Sequence, residues 1–183
     1  MTVTRQVWGF IERRDYRVMR RMNRWRAPGW IRYWMLAATR MGDGWLWYSL
    51  AVVLLAAGGA QKFAAVGAAG SAALVGVGVF KILKRISHRP RPCQIEPHCW
   101  SRVLPPDKFS FPSGHTMTAF SIALVLSYFY RGVEIPLYFM AASIALSRVV
   151  LGMHFLSDVL AGAILGVGLG CASLTAFAAM GLL

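Results

Sequence analysis

Three blocks in the second half of the chain hold the residues whose types and order can do chemistry: Lys84 with Arg91-Pro92, then Pro112-Ser113-Gly114-His115, then Ser147-Arg148 followed by His154 and Asp158. Three cations, two histidines and a carboxylate set among apolar stretches suit transfer of a phosphoryl group. Cations hold an oxyanion and offset the charge of the transition state. One imidazole can attack phosphorus while another protonates the departing oxygen. His154 and Asp158 are spaced i, i+4, so on a helix they share a face. A carboxylate on one ring nitrogen fixes the tautomer and leaves the other nitrogen free. Ser113-Gly114 precedes an apolar run from Met117, which places the pair at a helix start. Backbone N–H groups there favour an anion, and a glycine lets the chain approach it closely.

Each block has a plainer reading. Pro-Ser-Gly is a common helix start. Lys84 and Arg85 could anchor the end of a membrane helix at the interface. Asp158 could be a helix N-terminal carboxylate. Arg148 resists such a reading, because it lies between Ala145-Leu146 and Val149-Val150-Leu151, where an unpaired cation is expensive. Arg85, Arg89, Arg102 and Lys108 read as extra positive charge around an anionic headgroup or as loop solubility. Cys93, His98 and Cys99 lack the paired spacings of a structural zinc site, so no metal is expected.

The three blocks together resemble the signature of the type 2 phosphatidic acid phosphatase (PAP2) superfamily: a lysine, six residues, Arg-Pro; a Pro-Ser-Gly-His; and Ser-Arg, five residues, His, three residues, Asp. Every motif position fits, over roughly residues 80–160. The resemblance implies His154 as nucleophile, His115 as general acid and Asp158 as the partner that orients His154. It implies Lys84, Arg91, Ser113, Gly114 and Arg148 as the phosphate cradle, and no cofactor. Soluble vanadium haloperoxidases share this anion pocket, but the apolar spans of this chain speak against that branch.

The chain of 183 residues is 57% hydrophobic with a net charge of +13. Residues 46–60, 64–80 and 157–183 carry almost no charge, which a nucleic-acid-binding domain would not tolerate. The composition therefore describes an integral membrane protein, all-α, with spans near 44–60, 64–82, 114–131, 136–152 and 157–180. A sixth span hidden in residues 4–41 would change the parity. Val7, Phe10, Ile11, Val18, Met19 and Met22 recur at helical spacing among arginines, which suits a helix lying in the membrane surface. A second interfacial segment, Trp30 to Met41, follows Ala27-Pro28-Gly29, so residues 1–43 form a basic interfacial segment and 44–183 a transmembrane catalytic domain.

Gly162, Gly166 and Gly170 read as packing positions inside the bundle rather than a dimer seam. No cleavable signal peptide is visible. Ten arginines precede the first span, and the positive-inside rule places that face, with all three motifs, in the cytoplasm. Cys93 and Cys99 would pair readily if the face were oxidising instead. The expected activity is a lipid phosphate phosphatase of a bacterial inner membrane, acting on a polyprenyl (di)phosphate, phosphatidylglycerol phosphate or phosphatidic acid. The alternative is a non-enzymatic protein that binds anionic lipid headgroups through the same cations. The oligomeric state is left open by the sequence.

Overall fold

The computed structural model describes residues 3–96 and 107–183, with helices and no strand among them. His98, Cys99 and Arg102 lie outside the described residues, and with them the question of a Cys93–Cys99 bond. The helices are α1 (Val3–Arg24), α2 (Gly29–Gly42), α3 (Trp45–Ala57), α4 (Lys62–Ser87), the short α5 (Pro92–Ile95), α6 (Gly114–Phe129), α7 (Glu134–Val150) and α8 (Leu156–Ala179). The five apolar segments expected from the sequence each form one helix. Two helices, the one beginning at Lys62 and Leu156–Ala179, are long and apolar enough to cross a membrane. Trp45–Ala57 and Gly114–Phe129 are apolar but shorter.

Helix boundaries follow from local chemistry. Pro28 lacks an N–H, and its carbonyl accepts from Ile31 and Arg32 as α2 begins. Gly44 takes a φ of +114°, which lets the chain turn from α2 into α3 within two residues. α4 ends at His88, a left-handed residue at φ 46° whose N–H bonds back to Lys84. Pro90 and Pro92 then keep Arg89 and Arg91 out of helical conformation, and Arg91 is extended at φ −85°, ψ 153°.

The bundle packs small residues inside and large ones outside. Ala65, Ala68, Ala72, Ala119, Ala123 and Ala141 are all buried. Val52, Phe63, Leu74, Ile135, Phe139 and Ile164 are all exposed on helix flanks. Lipid tails give no drive to hide large apolar groups, so close backbone approach decides the packing. α6 runs along α8 on the glycine stripe: a Cβ at Gly162 would meet the Ser113 carbonyl at 2.6 Å, and one at Gly166 would press on the Met117 carbonyl. Ser71 and Ser173 bond across α4 and α8 at 2.9 Å. At the far end, Tyr130 Oη donates to the Gly58 carbonyl at 3.1 Å and ties the two turns together.

Candidate active site

The C-terminal end of α4, the start of α6, the end of α7 and the start of α8 meet at one end of the bundle, and every motif residue is brought there. The Arg-Pro-Arg-Pro run sends its two arginines to different partners. Arg91 is fully buried. Its Nη1 donates to the Met153 carbonyl at 2.7 Å, its Nε to the Asp107 carbonyl at 3.0 Å and its Nη2 to Asp107 Oδ1 at 2.6 Å. Lys84 Nζ donates to Asp107 Oδ2 at 2.6 Å. One carboxylate thus bridges two cradle cations. Partial burial pushes the Asp107 carboxyl up, but hydrogen bonds from Lys84 and Arg91 and their charges outweigh it and leave it below the ordinary carboxylate value.

His154 sits in the turn between α7 and α8, 2% exposed. Its N–H and that of Met153 both bond the Arg148 carbonyl at 3.0 Å. Its Nε2 lies 3.3 Å from Arg91 Nη1. A guanidinium only donates, so Nε2 is the acceptor and the ring proton belongs on Nδ1. Burial, then the charges of Arg148, Arg91 and Lys84, hold His154 well below the ordinary histidine value. It is a neutral imidazole.

Asp158 does not meet His154 through the helical i, i+4 spacing. His154 precedes α8, so the two side chains do not share a helix face; they meet because Asp158 folds back over the helix start. Asp158 Oδ2 accepts the Phe155 N–H at 2.8 Å, as an N-terminal capping carboxylate does. The distance from His154 Nδ1 to Asp158 Oδ2 is 3.6 Å, an ion-pair contact longer than a hydrogen bond. Nδ1 has no hydrogen-bond partner among the described residues.

Ser113 stands at the start of α6 as expected, but its side chain makes no capping bond to the backbone: its N–H donates to the Asp158 carbonyl at 3.1 Å and its Oγ meets Thr116 Oγ1 at 2.9 Å. The open donors of the helix start are therefore the first-turn N–H groups from Gly114 onward. His115 Nε2 is 2.9 Å from Asp43 Oδ1, in the α2–α3 turn. Gly42 permits this contact, since a Cβ there would meet His115 Cδ2 at 3.2 Å. Arg148 is 2% exposed. Its Nη1 donates to Thr39 Oγ1 at 2.6 Å, while Nε and Nη2 have no partner among the described residues.

A cavity of about 1020 Å³ opens beside this cluster. Lys84, Asp107, Gly114, His115 and Arg148 line its polar end, and it continues between α3, α4 and α6 past Trp47 and Ala69 to Leu54, Val66 and Leu126. Arg91, Ser113, His154 and Asp158 are buried outside that lining.

Sequence reasoning missed Asp15, Thr39, Asp43, Arg89 and Asp107. One signal was available for the acids. The chain has seven acidic residues against twenty basic ones, and its four aspartates, Asp15, Asp43, Asp107 and Asp158, all reach this cluster. Arg89, read as headgroup charge or loop solubility, instead bridges Asp15 and Asp158.

Curated proteins resemble this chain in sequence, and solved structures share its fold. Decaprenylphosphoryl-5-phosphoribose phosphatase of Mycobacterium tuberculosis is 35% identical over 103 residues, 56% of this chain and 55% of that protein. Phosphatidylglycerophosphatase B of Bacillus subtilis is 35% identical over 98 residues, 48% of this chain and 45% of that protein. The matched stretch thus spans about half the length of these curated relatives. The crystal structure of LpxE from Aquifex aeolicus superposes with a TM-score of 0.75 at 28% identity, over 87% of this chain and 94% of that one. A transmembrane PAP2-type phosphatidylglycerolphosphate phosphatase from Bacillus subtilis shares the fold at a TM-score of 0.68 and 24% identity, over 90% of this chain and 85% of that one. The family model for the PAP2 superfamily matches residues 63–180, which include every motif residue and the four helices that carry them. The chain is a membrane protein that belongs to the PAP2 superfamily.

Proposed function

We propose that this protein is a phosphatase that hydrolyses the phosphate headgroup of a membrane lipid through a phosphohistidine on His154, with no metal ion. The observation that carries the reading is the Arg148 guanidinium. It is buried, held at one nitrogen by Thr39, and keeps two donor groups without a partner among the described residues, beside the cavity that Lys84 and His115 also line. Buried donors on a cation call for an anion with several oxygens.

The headgroup phosphate displaces the Asp107 carboxylate and takes its place between Lys84 and Arg91, with Arg148 and the N–H groups at Gly114 completing the cradle. His154 Nε2 attacks phosphorus and the bond to the lipid oxygen breaks. His115 donates a proton from Nδ1 to that oxygen, while Asp43 on Nε2 stabilises the protonated ring. Water then attacks the phosphohistidine, giving its proton to His115 and releasing inorganic phosphate. Asp158 steadies the Nδ1 side of His154 as charge builds on the ring. The three cations supply the charge compensation that a metal ion supplies elsewhere.

The hydrocarbon tail lies in the apolar part of the cavity. From Lys84 to Val66 this wall of α4 is about 27 Å long at ~1.5 Å per residue, close to the ~30 Å of a bilayer core. Polyprenyl (di)phosphate, phosphatidylglycerol phosphate and phosphatidic acid are the candidate substrates. Support comes from the relatives that act, by name, on a decaprenylphosphoryl compound and a phosphatidylglycerophosphate. In this reading α3, α4, α6, α7 and α8 are five spans, residues 1–43 lie at the surface of the bacterial inner membrane, and the site faces the cytoplasm. Purified full-length protein in detergent with a chelator should release phosphate from at least one of these lipids. Arg148→Lys keeps the charge but loses the planar fork, and should lower kcat/KM by about tenfold or more, at least ~1.4 kcal/mol. Lipid binding with no phosphate release would leave an anionic-lipid-binding protein instead.

A further inference from the structure

Arg89 is not a motif residue and is 20% exposed at its side chain, yet it makes three side-chain hydrogen bonds of 2.6–2.7 Å. Its Nη1 donates to Asp158 Oδ1 at 2.6 Å and to Ser157 Oγ at 2.7 Å. Its Nη2 donates to Asp15 Oδ2 at 2.6 Å, and its Cζ lies 4.3 Å from the Phe155 ring centroid. Asp15 comes from the inner face of α1 and is 3% exposed. Its Oδ1 accepts the Ser157 N–H at 3.0 Å, and the Ser157 hydroxyl bonds its Oδ2.

Two buried carboxylates from helices far apart in sequence are thereby bridged by one planar fork, which shares its single positive charge between them. Leaving either unpaired would be strongly destabilising, and a lysine is a point charge that cannot reproduce the fork. The consequence for Asp158 is geometric. One of its oxygens is fixed by the Phe155 N–H and the other by Arg89, so the plane of the carboxylate is set. That plane decides what His154 Nδ1 faces, 3.6 Å away.

We propose that Arg89, clamped from behind by Asp15 of α1, is a positioning residue that holds the Asp158 carboxylate on the Nδ1 side of His154. This rests on the reading of His154 as the nucleophile. α1 is then part of the catalytic unit as well as a surface helix: its arginine-rich face is exposed while Asp15 reaches 74 positions along the chain to Arg89.

The test is a double-mutant cycle in the full-length detergent-solubilised enzyme, with a lipid phosphate that the wild type turns over. Arg89→Lys should lower kcat by at least about tenfold, the scale of a small misplacement near the reacting atoms, with KM within about twofold. Asp15→Asn should lower kcat in the same direction by less. In an Asp158→Asn background, Arg89→Lys should add almost nothing, because residues that act through one another are not additive. A merely structural Arg89 would give losses that multiply in the double variant, and that result overturns the proposal. So does an unchanged kcat in Arg89→Lys, or a change confined to KM. Should Arg89→Lys fail to fold, Asp15→Asn carries the same cycle. A wild type with no turnover on any lipid phosphate would sink the functional reading itself, whereas turnover without coupling sinks only the role of Arg89.

Discussion

The cations of the site could be read from the sequence because their spacing is fixed by the elements that carry them; their counter-charges could not. Asp107 pairs with Lys84 and Arg91, Asp43 with His115, and Asp15 with Arg89, each from a different part of the chain. An ion pair across the fold leaves no local spacing to find. The i, i+4 relation of His154 and Asp158 named two side chains that do meet, but a capping carboxylate rather than a shared helix face brings them together. Asp107 offers the sharpest prediction at this scale. Its carboxylate sits on the two cations that the substrate phosphate needs, so Asp107→Asn should lower KM about threefold or more by removing a competitor worth roughly a charge-assisted hydrogen bond, with kcat little changed. Steady-state kinetics on a lipid phosphate decides it. A collapse of kcat at constant KM would show that Asp107 instead holds Lys84 and Arg91 in working positions.

The apolar helices were legible as elements because runs of uncharged residues are bounded by glycine, proline and charge, and all five formed where expected. Their ends were less so. α4 continues to Ser87, which places Lys84 on its last turn, and no local rule marks His88 as its left-handed stop. α3 has 13 residues, about 20 Å at ~1.5 Å per residue, so the Asp43-Gly44 turn sets its start well inside the length a span would need. The glycine stripe of α8 was read correctly as internal packing, and it makes a clean test of how helix contact supports the site. A Cβ at Gly166 would press on the Met117 backbone, whereas one at Gly168 meets nothing within 4 Å. Gly166→Ala should therefore destabilise the bundle by about 1–3 kcal/mol through overpacking, seen as a lower thermal midpoint in detergent. Gly168→Ala should be neutral or slightly stabilising, by up to ~1 kcal/mol. Equal midpoints for the two variants would mean that α6 and α8 do not approach as closely as described.

For the molecule as a whole, charge and packing divide the chain into a polar end with the site and an opposite end of tight turns. In the proposed topology the polar end faces the cytoplasm, an expectation that rests on the excess of arginine before α3 and the positive-inside rule. Single cysteines at Lys108 and Gln61, with Cys93, Cys99 and Cys171 replaced, report the two ends. An impermeant thiol reagent on intact cells should label Gln61→Cys and spare Lys108→Cys. The reverse pattern would put the site outside, and would favour a polyprenyl carrier recycled at the outer face. The proposed reaction passes through one covalent bond, from His154 to phosphorus. With radiolabelled lipid phosphate, a chelator and a rapid alkaline quench, the wild-type protein should carry an acid-labile, alkali-stable phosphoryl group on His154. His154→Ala should carry none and release no phosphate while still binding the lipid, because Lys84, Arg91 and Arg148 remain. Phosphate release by His154→Ala at near the wild-type rate would contradict the account.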